Sequence, residues 1–130
     1  MAVAHPDPTD RELEILKVLW RRGPSTVREV HKAMWGTSPV TRTTVLKLMQ
    51  IMFDKGLVVR DETEHSHVYQ AVPEESAVER QLLSRFTDRV FGGSAMSLVS
   101  RALDARAMTP KELAEIRRLI DEAAAGEEES

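Results

Sequence analysis

From Thr9 onward the chain alternates between stretches of helical period and sharp breaks. Thr9 with Glu12 three residues later has the form of a capping box, in which hydroxyl and carboxylate satisfy the first backbone N–H groups of a helix. Leu13, Leu16, Leu19 and Trp20 then fall on one face, and Gly23-Pro24 ends the run. Ser25 or Thr26 caps a second helix, and Thr26 with Glu29 makes another capping box. Val27, Val30 and Met34 are its apolar stripe, and Trp35-Gly36-Thr37-Ser38-Pro39 is the loop that follows. Thr41 or Thr43 opens a third helix that reaches Lys55, closed by Gly56 where a left-handed residue belongs. The period then shortens. Leu57-Val58-Val59-Arg60 and Val68-Tyr69-Gln70-Ala71-Val72 are β-forming runs that flank a polar hairpin tip, Asp61 to His67. A short strand near Pro24-Ser25-Thr26 would add a third sheet member.

After Pro73 the helical period returns. Val78, Leu82, Phe86 and Val90 recur every four residues, and Gly92-Gly93 breaks the run. Ser94 caps a short helix carrying Leu98, Val99, Ala102 and Leu103. Thr109-Pro110 starts the last helix, whose stripe is Leu113, Ile116, Leu119, Ile120 and Ala123. The predicted fold class is mainly α with a small β-hairpin wing: an N-terminal winged helix-turn-helix plus a C-terminal helical dimerisation domain. Residues 1–8 read as a flexible arm, 9–73 as the winged-helix domain, 74–124 as the dimerisation domain, and 125–130 as an acidic, frayed tail. The segment beyond Pro73 has about 57 residues, too few to bury a stable core alone. Burying Leu82, Phe86, Leu98, Leu113, Ile116 and Ile120 against a second copy solves that and gives a homodimer with two heads. The competing arrangement folds these helices back on their own winged domain.

Charge sharpens the picture. The chain of 130 residues carries a net −3, unfavourable to a polyanionic partner if taken globally. Between Lys17 and Arg60, however, nine cations face only Glu29 and Asp54, a local +7. The balancing acid lies elsewhere, in Glu74, Glu75, Glu79 and Glu127-Glu128-Glu129, so a basic working face sits on a self-solubilising body. Zero cysteines exclude disulfides, thiolate zinc sites and thiol catalysis, and suit a reducing cytoplasm. Nothing after Met1 resembles an export signal, and no apolar run approaches the roughly 20 residues of a membrane span. A soluble cytoplasmic chain without membrane insertion is the expectation. No nucleophile elbow, phosphate-binding glycine loop or His-Glu-x-x-His occurs, so no enzyme is expected and no cofactor is implied.

The third helix carries the candidate chemistry. Val45, Leu48, Met49, Met52 and Phe53 make an inward face, while Thr43, Leu46, Lys47 and Gln50 make an outward one. Short hydroxyls, an amide, a cation and an apolar tip are what base edges and phosphates in a major groove require. Thr41, Arg42 and Thr44 sit at the helix N-terminus, where backbone N–H groups attract phosphate. In the wing, Arg60, His65 and His67 are placed to touch phosphates or the adjacent minor groove. His65-x-His67 also has two-ligand metal spacing, but with neither cysteine nor a nearby carboxylate on the same strand face no metal site is expected. The expected partner is a double-stranded DNA operator. A winged helix that docks proteins as a dimer, without DNA, is the alternative from another class; an apolar outer face on the third helix would have favoured it.

Thr9-Asp-Arg-Glu-Leu-Glu-Ile-Leu-Lys-Val-Leu-Trp20, Gly23-Pro-Ser-Thr-Val-Arg-Glu-Val30, Thr43-Thr-Val45 and Asp54-Lys-Gly-Leu-Val58 resemble the penicillinase-repressor family of the BlaI/MecI type. So do Phe91-Gly-Gly93, Ser97-Leu-Val99 and Leu113-Ala-Glu-Ile-Arg-Arg-Leu119, and the likeness spans residues 9 to 123. The resemblance implies a homodimer that binds palindromic operators and represses genes, in the best-known members those for β-lactam resistance. It also implies a membrane sensor protease as a partner, which signals cleavage within the dimerisation domain. The family often carries Thr and Arg where this chain has Lys47 and Ile51, so no operator sequence is carried over. The staphylococcal members are cut at Asn-Phe, where this chain has Ser100-Arg101. A copper-responsive branch uses a cysteine-rich tail, which this chain lacks.

Overall fold

Three helix starts are set by the residues nominated for them. Thr9 Oγ1 accepts the Glu12 N–H while Glu12 Oε1 accepts the Thr9 N–H, opening α1 (Asp10–Arg22). Thr26, rather than Ser25, makes the same reciprocal pair with Glu29 and opens α2 (Val27–Met34). Thr41, rather than Thr43, caps α3 (Arg42–Lys55) by accepting the Thr44 N–H at 3.1 Å. Ser25 and Thr26 form β1 (Ser25–Thr26), and the wing strands are β2 (Val58–Asp61) and β3 (Val68–Ala71). Then come α4 (Glu75–Phe91), α5 (Ala95–Ala105) and α6 (Pro110–Glu129). The structure is a computed structural model; it describes residues 5–36 and 39–129, with side chains as far as 127. The first half of the expected arm, loop residues 37 and 38, and residue 130 lie outside the described residues.

The chain divides into two compact units, residues 1–84 and 85–130, with the division inside α4. In the first unit the sheet order is β1-β3-β2, antiparallel throughout, with Tyr69 of β3 opposite Ser25 on one side and Arg60 on the other. Ile15, Leu16 and Leu19 of α1 pack with Val30 and Met34 of α2 and with Val45, Met49 and Met52 of α3. Val58 and Tyr69 close the same core from the sheet, with Leu57 just before β2. Each aliphatic side chain so buried contributes about 1.5–3 kcal/mol, which makes this unit's stability chiefly aliphatic. Gly56 holds φ 83°, a left-handed turn that ends α3 and starts the wing. Trp20 donates its indole N–H to the Pro73 carbonyl at 3.0 Å, tying the end of α1 to the exit from the wing. Residues 5–8 are held too, because the Gln81 amide donates to the His5 carbonyl and to Asp7 Oδ1.

One inward assignment on α3 is corrected. Phe53 is 36% exposed, since it lies at the margin of the stripe defined by Val45, Met49 and Met52, whereas Leu48 is half-buried and packs against the core. The buried positions of α1 include Glu12 and Ile15, which the predicted apolar face left out.

In the second unit Gly92 and Gly93 take φ 58° and 85°, Ser94 caps α5, and Thr109 and Glu112 exchange backbone bonds at the start of α6. α6 continues past Ala123, where the sequence predicts fraying, to Glu129. Ala123 to Ala125 are strong helix formers, and nothing before Gly126 interrupts them.

Candidate nucleic-acid interface

α3 is fixed in rotation by its own core. With Val45, Met49 and Met52 fully buried, Thr43, Leu46, Lys47 and Gln50 must point outward, and all four are exposed. Thr41 and Thr44 spend part of their hydroxyl chemistry on the cap, Thr41 Oγ1 donating to Thr44 Oγ1 at 3.0 Å. Beyond that cap the first α3 amides lack intrahelical partners and carry the positive end of a 14-residue helix dipole.

An open cleft of about 440 Å³ lies between this helix end, the start of α2 and the wing tip. Its walls bring together five of the predicted residues: Arg42, Thr43, Leu46, His65 and His67. Lys47 and Gln50 lie farther along the outward face of α3 and do not line it. The wing tip is shaped by Asp61, whose Oδ1 accepts both the backbone N–H and the hydroxyl of Thr63, at 2.9 and 2.7 Å. Those two bonds hold the Asp61 carboxyl below its ordinary pKa, so the turn keeps its acceptor at neutral pH.

Arg60 is engaged within the wing. Its guanidinium sits 4.0 Å from the centre of the Phe53 ring, and Nε donates to Glu62 Oε1 at 2.7 Å. A hydrogen bond with Tyr69, then the one with Glu62, raises its pKa further. It braces the base of the wing, at the strand position opposite Tyr69, and does not line the cleft. Two more cations of the basic segment are engaged internally: Lys55 with the buried carboxylate of Glu12 at 2.8 and 3.0 Å, and Arg22 with Glu29 at 3.2 Å. Arg42 and Lys47 have no ion-pair partner among the described residues. The site keeps its positive charge where the helix dipole adds to it.

Arg28 of α2 also lines the cleft, beside Thr26, and was not nominated from the sequence. The signal was present: Arg28 lies off the Val27, Val30, Met34 stripe, beside the Thr26–Glu29 capping box that opens α2. Among the described residues no three metal-ligating side chains come together. No helix among them is long and apolar enough to cross a membrane.

Comparison with known proteins agrees with this geometry. The family model described as penicillinase repressor matches residues 8–122. A penicillinase repressor of Bacillus licheniformis is 25% identical over 117 residues, covering 90% of this chain and 91% of that protein. The transcriptional regulator BlaI of Mycobacterium tuberculosis is 34% identical over 64 residues, covering 48% of this chain and 46% of that one. Among solved structures, the DNA-binding domain of the repressor BlaI superposes with a TM-score of 0.51 at 27% identity, covering 58% of this chain and 92% of that domain. The winged-helix fold and the motifs along nearly the whole length agree. The chain belongs to the penicillinase repressor family: it is a DNA-binding transcriptional repressor and not an enzyme.

Proposed function

We propose that the chain represses transcription by binding a palindromic operator as a homodimer, with genes of the β-lactam-resistance class as its targets. The outward face of α3 enters the major groove, where Leu46, Lys47 and Gln50 read base edges. Thr41, Arg42, Thr43 and Thr44 hold phosphate at the helix N-terminus, and His65 and His67 extend the contact from the wing. The observation that carries this reading is the cleft itself, which sets Arg28, Arg42 and a helix N-terminus around one concave surface. Affinity for duplex DNA is expected to fall with salt, with a log–log slope of about −0.9 per phosphate neutralised. Lys47→Ala should relax base preference by about 1–3 kcal/mol, whereas Arg42→Ala should weaken all sequences alike and flatten the salt slope. Titrating operator and scrambled duplexes at two salt concentrations checks both. A Lys47→Ala protein with unaltered preference would place recognition on another element.

The dimer reading rests on exposed apolar surface. Phe86 is 46% exposed, Leu113 47% and Ile120 58%, with Leu82, Leu98 and Ile116 half-buried. Val90, Met96, Val99, Leu103 and Leu119 are exposed as well. So much unburied aliphatic area in one short segment is the signature of a surface that a partner covers, and residues 74–124 supply it.

Induction by cutting Ser100-Arg101 is not expected. The bond lies inside α5, with Arg101 paired to Asp104 at 3.2 Å, and it joins a polar residue to a cation. A protease selecting an apolar residue after the bond would reject it, and the helix would have to unwind first. N-terminal sequencing of the protein after exposure of its native cells to a β-lactam tests this; a fragment beginning at Arg101 would refute it.

A further inference from the structure

From the edge of the DNA cleft, α2 carries a second stripe. Arg28, His31, Lys32 and Trp35 follow one another at i, i+3, i+4 and i+7, on a face distinct from the buried Val30 and Met34. Trp35 is 63% exposed, a large apolar area to leave in water. Its ring meets the His31 ring edge-on, with centroids 5.6 Å apart at 72°. The imidazole is in turn held by an Nε2–H bond to the Val40 carbonyl at 2.8 Å. These rings, with Arg28, Lys32 and Arg42, line an open cavity of about 600 Å³.

No carboxylate lines this cavity, and none of its three cations has an ion-pair partner among the described residues. Its walls are mainly apolar, formed by the indole, the imidazole and the stems of the cations, with charge confined to their tips. A phosphodiester would satisfy the tips and leave the indole uncovered. A planar aromatic acid satisfies both, because its ring stacks on Trp35 while its carboxylate accepts a fork of bonds from a guanidinium. The volume lies within the roughly 300–1,000 Å³ usual for small-ligand sites.

Arg28 and Arg42 line this cavity and the DNA cleft alike. We infer that the Trp35 cavity is an effector site for a planar aromatic carboxylate, whose binding withdraws Arg28 and Arg42 from DNA and lowers operator affinity. The regulatory half rests on the DNA-binding reading above; ligand binding does not. Linkage makes the effect reciprocal, so bound DNA weakens the ligand by the same factor.

The test uses the full chain, labelled with nitrogen-15, and follows its two indole N–H signals while 2-naphthoate is added. Trp20, bonded to the Pro73 carbonyl and outside the cavity, is the internal control. The Trp35 signal should shift saturably and the Trp20 signal should stay. Neutral 2-naphthamide should bind at least about tenfold more weakly, because it loses the charge-assisted bonds. Naphthoate should weaken binding to a duplex in the native protein but not in Trp35→Ala, which still binds DNA. The inference is overturned if the Trp35 signal does not saturate, if naphthamide matches naphthoate, or if naphthoate leaves duplex affinity unchanged. It is also overturned if only duplex DNA moves Trp35, which would make the stripe a DNA contact. Saturable naphthoate binding by a chain that binds no duplex would uphold the ligand site and remove the DNA reading instead.

Discussion

A chain cut after Ser84 should fold and still prefer its operator, yet bind it about 10²–10⁴-fold more weakly than the full chain. The first half of that expectation comes from the core. Ile15, Leu16, Val30, Val45, Met49, Met52, Leu57 and Tyr69 all lie before residue 84, and so do all three strands. Cutting at Ser84 also spares Val78, which is 5% exposed, and Gln81, which holds the His5 carbonyl. A cut at Pro73 would lose both. The second half follows from geometry: once one head of a dimer is bound, the other searches a volume set by its tether, and removing residues 85–130 removes the tether. Anisotropy titrations of both chains on a two-half-site duplex and on a single half-site give the comparison, with sedimentation reporting the assembly. The two chains should converge on the half-site. Equal affinity on the full operator, or a full chain that sediments as a monomer at every concentration, would defeat the dimer proposal.

The parts of the fold that could be read from the sequence are those where local chemistry decides. Thr9, Thr26 and Thr41 cap because each hydroxyl reaches an amide three residues on, an interaction contained within one turn. Gly56 ends α3 because an L side chain resists its φ of 83°. The change of period after Leu57 announces the wing, and even the two-residue β1 was foreshadowed. What could not be read is what depends on partners distant in sequence. Glu12 looks like a capping residue and is one, but it is also 1% exposed because Lys55, 43 residues away, arrives beside it. Arg60 reads as a wing cation, and nothing in the sequence shows that the hairpin register sets it opposite Tyr69 and against Phe53. Arg28 joins the cleft only through the packing of α2 on α3. Counting cations along the basic segment therefore overstates its working charge, since Arg22, Lys55 and Arg60 are each committed to a carboxylate.

Lys55→Met should lower stability by about 3 kcal/mol, a Tm loss on the order of 10 °C, while leaving duplex affinity within about twofold. Methionine keeps most of the methylene stem, so the change isolates the charge. Glu12 is the reason for the size of the effect. Its Oε1 accepts the Thr9 N–H at 2.9 Å and the Lys55 ammonium at 2.8 Å, and its Oε2 accepts the ammonium alone at 3.0 Å. Without Lys55 a fully buried carboxylate keeps one amide bond and no counter-charge, which is far costlier than losing an exposed pair. The Lys55 side chain is itself 31% exposed, so water partly reaches the site and the lower end of the usual 3–5 kcal/mol range applies. Glu12→Gln should cost less, about 1–2 kcal/mol, because the amide oxygen still accepts from Thr9 and the partly exposed ammonium turns to solvent. In the double variant the penalties should fall well short of additive, the mark of a direct pair. Thermal melts of the three proteins measure this, and salt titrations on duplex DNA supply the second readout. A Lys55→Met protein with an unchanged melt but a shallower salt slope would mean that the ammonium serves phosphate rather than Glu12.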